Sequence, residues 1–450
     1  MRPDLVAKYQ NQRVPRYTSY PPSPHFSEAV GADAYRSWLG DLSDRDTLSL
    51  YLHVPFCRSM CWYCGCHTTI VPHDEPIRAY LGDMGREIAA VAGAMIAAPA
   101  VTHVHFGGGT PTLIPPDAFV ALMDDLRRRF RFGADAEIAV EVDPRTLTAE
   151  AAEALGRGGV NRASLGVQSL DEAVQRAINR IQSYDCTALA VSRLRAAGIA
   201  RLNLDLIYGL PRQTVASAAE TAARVLDLRP ARLSVFGYAH MPGFKKHQER
   251  ILEAELPGAD ERLAQAEAID GVLSGAGYQR IGLDHYALPD DPMAVAARDG
   301  TLRRNFQGYT TDAASALLAF GASAIGRTPG GFAQNHVLLP AYRRAVAEHG
   351  FGIAKGFALS AEDRLRAELI ELTMCRFEVD VAAVAARHGL PAAAVAPDAA
   401  MLAQLVRDGM AMVEDGVLRV PEDARPLVRS VAALFDAYLA PESGRHSRAI

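Results

Sequence analysis

The chain has 450 residues, 49% of them hydrophobic and 22% charged, with a formal net charge of -5. This is ordinary soluble globular usage; the length allows two to three domains, and no global basic field exists to recruit nucleic acid. The opening Met1-Arg-Pro-Asp-Leu-Val-Ala-Lys8 lacks the apolar run of a signal peptide, and no 18-residue apolar stretch marks a membrane span.

The first expected strand covers residues 48–54, where Leu48, Leu50, Leu52 and Val54 alternate with Ser49, Tyr51 and His53. A helix follows over 77–96, a strand over 101–106 and a helix over 116–129. Further strands are expected over 137–142, 162–167, 201–207 and 233–236, with helical segments between them. Strand–helix alternation at this spacing predicts parallel βα units with right-handed crossovers. The units span about residues 46–240, so the expected fold is α/β, a partial (β/α)6 TIM-like barrel. Beyond residue 359 the character changes. Ser360 is a helix start, residues 364–375, 380–388 and 399–408 read as helices, and Asp415-Gly416 reads as a hairpin turn. Helices followed by a β-wing predict a mostly helical, winged-helix-like domain without a basic recognition helix, here a cover on the barrel. The expected division is an N-terminal segment 1–45 covering the substrate, a barrel with its extension over 46–358, and a C-terminal domain over 359–450.

In parallel barrels the active site lies at the carboxyl ends of the strands. Those ends carry Cys57, the run Gly107-Gly-Gly-Thr-Pro111, Glu141 and Asp143, Gln168, Asp205, then Tyr238 and His240. Each alone could be a satisfied core or loop residue; together they mark the barrel mouth as the site.

Four of the six cysteines, Cys57, Cys61, Cys64 and Cys66, fall in one short loop, while Cys186 and Cys375 stand apart. Clustered thiols without a secretory signature point to metal rather than disulfides, and to a reducing cytoplasm. Zinc sites pair two separated C-x2-C knuckles, and this chain has no second knuckle. Electron-transfer ferredoxins close their cluster with a fourth cysteine. The spacing C-x3-C-x2-C instead supplies three thiolates for a 4Fe–4S cubane and leaves one iron open. The glycine run lacks G-x4-G-K-[ST] and G-x-G-x-x-G, so neither a phosphate loop nor a dinucleotide fold is supported. It reads as backbone N–H and C=O groups bared for close approach by a ligand, or as a tight βα turn.

The cysteine loop and glycine run resemble the radical S-adenosylmethionine superfamily. More closely, the chain resembles the oxygen-independent coproporphyrinogen III oxidase (dehydrogenase) family over essentially its full length. The resemblance is carried by Pro15-Arg-Tyr-Thr-Ser-Tyr-Pro21, Tyr51-Leu-His-Val-Pro-Phe-Cys57, Cys61-Trp-Tyr-Cys-Gly-Cys66, Gly107-Gly-Gly-Thr-Pro-Thr112 and Glu141-Val-Asp-Pro-Arg145. It continues through Gly166-Val-Gln-Ser169, Asn203-Leu-Asp-Leu-Ile-Tyr-Gly-Leu-Pro211, Arg232-Leu-Ser-Val-Phe236 and Arg304-Asn-Phe-Gln-Gly-Tyr-Thr-Thr311.

The resemblance implies cluster ligation by Cys57, Cys61 and Cys64, with Cys66 an extra, non-ligating cysteine; His67 stays unassigned. It implies S-adenosylmethionine binding at Tyr51, Tyr63, Gly108, Gly109, Thr110, Glu141, Gln168, Arg180, Asp205, Ala239 and Ile325, shared between two cofactor molecules consumed per substrate. The implied reaction is oxidative decarboxylation of two propionates of coproporphyrinogen III to vinyl groups, giving protoporphyrinogen IX in anaerobic haem biosynthesis. A 5′-deoxyadenosyl radical removes hydrogen from the propionate β-carbon, and carbon dioxide and one electron then leave. The tetra-anionic substrate calls for arginine, with Arg13, Arg16, Arg303 and Arg304 as candidates and the segment around Arg16 and Tyr17 as a lid. A reductant and an unidentified electron acceptor are further partners, with no nucleic acid and no membrane span, and a monomer is expected. The rival reading is the haem chaperone of the same superfamily, which usually has an aromatic residue where Cys66 stands and lacks the Pro15–Pro21 and Asn305–Thr311 segments. A plain electron carrier needs no scaffold of this length.

Overall fold

A computed structural model describes residues 3–9, 12 and 14–439. The chain divides into two compact units: one holds Ser27–Tyr278 and Ala314–Ala358, the other the described residues of Met1–Phe26, Gln279–Ala313 and Leu359–Ile450. No helix among the described residues is long and apolar enough to cross a membrane.

The first unit is mixed α/β around a parallel sheet. Its six expected strands are β1 (Thr47–Val54), β2 (Ala100–Gly108), β3 (Arg131–Val142), β4 (Arg162–Gln168), β5 (Arg201–Tyr208) and β6 (Arg232–Gly237), paired in parallel in chain order. Helices α1 (Glu75–Ala94), α2 (Pro116–Arg129), α3 (Ala149–Arg157), α4 (Tyr184–Ala196) and α5 (Val215–Leu226) lie between them in sequence. Their starts follow local chemistry. Pro116 occupies the first turn of α2, Thr148 and Ser183 accept from Ala151 N and Cys186 N, and Thr214 forms a capping box with Ser217.

A further parallel strand, β7 (Ala316–Phe320), was not foreseen. It pairs with the free edge of β1, Leu48 opposite Ala316 through Leu52 opposite Phe320. With β2 on one side and β7 on the other, β1 is buried from Leu48 to Val54, as a central parallel strand requires. Antiparallel strands β8 (Ile325–Thr328), β9 (Gly331–Asn335) and β10 (Ile353–Ala358) extend the sheet from there. Buried Glu87 of α1 fastens this extension. Its carboxylate accepts from Gly321 N at 2.8 Å, Asn335 Nδ2 at 2.7 Å, the Tyr342 hydroxyl at 2.7 Å and Gly352 N at 3.0 Å. Burial raises this carboxyl, and the four donors offset part of that cost. Toward the amino-terminal ends of the strands, Glu137 of β3 pairs with Arg162 of β4 at 2.9 Å, both largely buried.

The second unit is mostly helical. Helix α6 (Ala361–Arg376) supplies Leu365, Leu369, Ile370 and Met374 to a core that also takes Val395, Leu405, Leu427, Val431 and Phe435. Three short strands, Glu378–Asp380, Val417–Arg419 and Met412–Glu414, pair in that order. Asp415 and Gly416, at φ 51° and 80°, make the expected two-residue turn between the last two. Leu5, Tyr9, Val14, Tyr17 and Tyr20 belong to the same core. The segment expected to act as a lid packs into this unit: Tyr17 is 5% exposed, and its hydroxyl donates to Asp436 Oδ2 at 3.0 Å.

Candidate active site

The cysteine loop leaves β1 through Pro55 and is closed at its base by parallel pairing of Phe56–Cys57 with Thr69–Ile70. Its backbone is held from outside at several points. Trp62 N donates to Ile178 O at 2.9 Å and Asn179 Nδ2 to Met60 O at 2.8 Å. The carbonyls of Tyr63, Cys64 and Cys66 face Gln248 Nε2, His247 Nε2 and Lys245 Nζ at 3.0, 2.7 and 3.2 Å. A loop fixed in this way presents its thiols in a set arrangement rather than leaving them to fluctuate.

All four thiols are free. Burial pushes the Cys57 thiol up to about 11 against a hydrogen bond from Thr110, 3.2 Å away, and charge on Cys64 or Cys61 would push it further. A hydrogen bond from Cys66 lowers the Cys64 thiol, against the cost of burial. Cys61 is buried between two guanidinium groups, with Arg145 Nη2 at 3.4 Å and Arg180 Nη1 at 3.6 Å from its sulfur. Among the described residues, no three His, Cys, Asp or Glu side chains are arranged to hold a single metal ion. A cubane is wider than an ion and takes its thiolates at separate corners. The donor set, free thiols gathered on one fixed loop with cationic donors at Cys61, fits such a cluster.

The glycine run crosses directly behind the loop. A Cβ on Gly109 would stand 2.6 Å from Phe56 O, and one on Gly108, at φ 115°, would meet the His53 ring at 2.7 Å. Only glycine fits there. The amides, however, are not bared for a ligand as expected. Gly108 N donates to Glu141 Oε2 at 3.0 Å, Gly109 N to Val54 O at 2.9 Å and Thr110 N to Phe56 O at 2.7 Å. Close packing of two loops explains the glycines, and the tight-turn alternative accounts for the amides.

Glu141 ends β3 beside this run. Burial alone would raise its carboxyl, but His105, with Nε2 at 3.2 Å, and the Gly108 N–H outweigh that and hold it below the ordinary carboxylate range. Its side chain stays 39% exposed, so the carboxylate keeps an open side. Tyr51 stacks on His105 with centroids 6.0 Å apart, and its hydroxyl meets His53 Nδ1 at 2.8 Å. Burial lowers the His53 imidazole to about 4, so that ring is neutral at physiological pH.

Asp143 carries the next layer. Arg145 grips it with Nε at 3.0 Å from Oδ1 and Nη2 at 2.6 Å from Oδ2, and Arg180 Nη2 reaches Oδ1 at 3.3 Å and Gly166 O at 2.7 Å. Gln168 ends β4 at φ 69°. Asp205 is fixed by Ser164 Oγ at 2.9 Å and Asn203 Nδ2 at 2.8 Å, with burial raising its carboxyl. Tyr63 packs on the Val174, Ile178, Leu210, Tyr238 and Ile251 cluster; Ala239 follows β6, and Ile325 opens β8. All the cofactor and cluster residues expected from the sequence therefore lie in the first unit. His53, His105 and Arg145 were not singled out. The two histidines were marked by alternating with apolar residues in strands that end at the site.

Two family models match the chain, the radical SAM superfamily over residues 51–225 and the HemN C-terminal domain over residues 359–427. An oxygen-independent coproporphyrinogen III oxidase of Bradyrhizobium diazoefficiens is 54% identical over 450 residues, 100% of both chains. The chain belongs to the oxygen-independent coproporphyrinogen III oxidase family. An anaerobic coproporphyrinogen III oxidase of Cereibacter sphaeroides is 41% identical over 97% of this chain and 96% of its own. The solved structure of the Escherichia coli coproporphyrinogen III oxidase HemN, described as a radical SAM enzyme, superposes with a TM-score of 0.90 at 38% identity, covering 97% of this chain and 98% of that one. A radical SAM domain works with a 4Fe–4S cluster and S-adenosylmethionine, and the thiols and polar strand ends described above suit both. Of the arginines considered for substrate propionates, Arg16, Arg303 and Arg304 lie in the second unit, while Arg13 lies outside the described residues.

Proposed function

We propose that the chain converts coproporphyrinogen III to protoporphyrinogen IX by oxidative decarboxylation of two propionates, in anaerobic haem biosynthesis in the cytoplasm. The observation that carries this reading is the gathering of Cys57, Cys61 and Cys64, the glycine run and Glu141 at the strand ends of a chain that matches this family from end to end. When bound, the cluster and S-adenosylmethionine supply one electron and a 5′-deoxyadenosyl radical that abstracts hydrogen from the substrate.

Cys57, Cys61 and Cys64 hold the cluster, and Cys66 does not. Glu141 presents its exposed oxygen edge to the cofactor's ammonium group, kept ionised by His105 and Gly108 N. Arg180, fixed by Asp143 and Gly166 O, offers its guanidinium to a carboxylate. Asp205 takes a ribose hydroxyl, with Ser164 and Asn203 fixing its rotamer. Tyr51, Tyr63, Gly108, Gly109, Thr110, Gln168, Ala239 and Ile325 line the remaining cofactor surface. The substrate's carboxylates suit arginine forks, for which Arg16, Arg303 and Arg304 are candidates. The protein acts as a monomer with a low-potential reductant and a separate electron acceptor.

Anaerobic turnover of reconstituted protein with coproporphyrinogen III and dithionite tests the reading. Vinyl product and 5′-deoxyadenosine are expected together, and both are absent in Cys57→Ala. Stable porphyrin binding without vinyl product would point instead to a binding and delivery protein.

A further inference from the structure

Cys61 differs from its neighbours in facing two fixed cations. Arg145 Nη2 lies 3.4 Å from its sulfur and also 2.6 Å from Asp143 Oδ2, so its two hydrogens serve the two acceptors. Asp143 fixes this aim twice over, through a fork to Nε and Nη2 and through its Oδ1, which takes the Arg145 backbone N–H at 3.1 Å. The side chains are shielded from solvent, 17% exposed for Arg145 and 11% for Asp143. Little water is available to screen the guanidinium at that distance.

We propose that Arg145 sets the reduction potential of the cluster through Cys61, and that Asp143 is the positioning residue that aims it. This rests on the cluster reading above. The one-electron step takes an electron from an external low-potential donor, moves no proton and leaves the iron–thiolate unit one charge more negative. An N–H donor and fixed positive charge at one ligand sulfur stabilise that reduced form over the oxidised one, and so raise the potential. Arg180 also reaches Cys61, at 3.6 Å, but its guanidinium is the candidate partner of the cofactor carboxylate. Arg145 has no part in holding the cofactor in this reading, and Asp143 keeps it against the sulfur through its Nε, its Nη2 and its backbone N–H.

The test is an EPR-monitored dithionite titration, without S-adenosylmethionine, of anaerobically reconstituted wild type, Arg145→Gln and Arg145→Lys, with iron and sulfide counted per chain. At the potential where wild type is half reduced, the reduced-to-oxidised ratio is expected to fall about tenfold in Arg145→Gln, ~59 mV for a one-electron couple. A smaller fall is expected in Arg145→Lys, which keeps the charge and loses the fork. Midpoints equal to wild type in both variants overturn the proposal and leave Arg145 a partner of Asp143 in a turn. Should Arg145→Gln take up no cluster, the Arg145→Lys midpoint decides alone: lowered, it supports the proposal; unchanged, it overturns it. A wild type that binds no iron defeats the cluster reading itself, and this inference with it.

Discussion

His105 on β2 reaches Glu141 on the adjacent parallel strand, Nε2 to Oε1 at 3.2 Å, while the other oxygen of Glu141 takes the Gly108 amide at 3.0 Å. The pair turns a strand-end acid into a fixed anion with one open edge. Glu141→Ala is therefore expected to keep its iron and lose affinity for S-adenosylmethionine by about tenfold or more, the scale of one charge-assisted hydrogen bond. Calorimetry on the reconstituted protein measures it, and unchanged affinity would make Glu141 a structural brace for the glycine run.

The same pair predicts a pH dependence. Glu141 is depressed below the ordinary carboxylate range, because His105 and Gly108 N outweigh burial. Its anion persists as pH falls, so cofactor affinity should hold down to pH values below that range. In His105→Gln burial is less opposed and the carboxyl rises, so the acid-side loss of affinity should begin at higher pH. Coincident acid limbs in the two proteins would count against the role of His105.

Stability should depend on Glu137 and Arg162. Burial would raise the Glu137 carboxyl, but Arg162 and Arg232 hold it down. A depressed acid contributes its stability in full above its unfolded value, ~4.3, and loses it as pH falls through the lower folded value. Arg162→Ala removes the 2.9 Å partner of a buried carboxylate and leaves Arg232 to offset its charge, and is expected to cost about 3 kcal/mol, the low end for a broken buried pair. Urea unfolding at neutral pH would show it, and a loss under 1 kcal/mol would mean that Arg232 or water compensates Glu137 in place of Arg162.

The amino-terminal segment gives a contrasting expectation. Tyr17 is buried among helical residues of the second unit and bonded to Asp436. Tyr17→Ala should destabilise that unit by about 3–5 kcal/mol while leaving the cluster loop, which belongs to the other unit, able to take up iron. Thermal unfolding followed beside iron content separates the two effects; a variant as stable as wild type would mean that Tyr17 contributes little to that core.

What the sequence disclosed follows physical range. Residues 48–54 alternate in register with a strand, and the polar strand ends mark the mouth, because both signals are local. β7 was invisible: five residues whose partner, β1, lies far away in sequence and meets them only in the folded sheet. The segment around Arg16 and Tyr17 reads in sequence only as a lid, because nothing nearby reveals the helical core that Tyr17 and Tyr20 enter. The glycine run was located correctly, but its amides were assigned to a ligand, since Val54 and Phe56 become their acceptors only after the loops pack. Arg145 stood within a quoted motif, yet its contact with Cys61 spans 84 residues.

The central claim is that three thiols hold the cluster and leave one iron for the cofactor. Iron and sulfide per chain in Cys57→Ser, Cys61→Ser, Cys64→Ser and Cys66→Ser, each reconstituted anaerobically, test it most directly. The account predicts loss of the cluster in the first three and wild-type content in Cys66→Ser. Equal loss in Cys66→Ser would show a fourth thiolate closing the cluster, and would contradict the open-iron site.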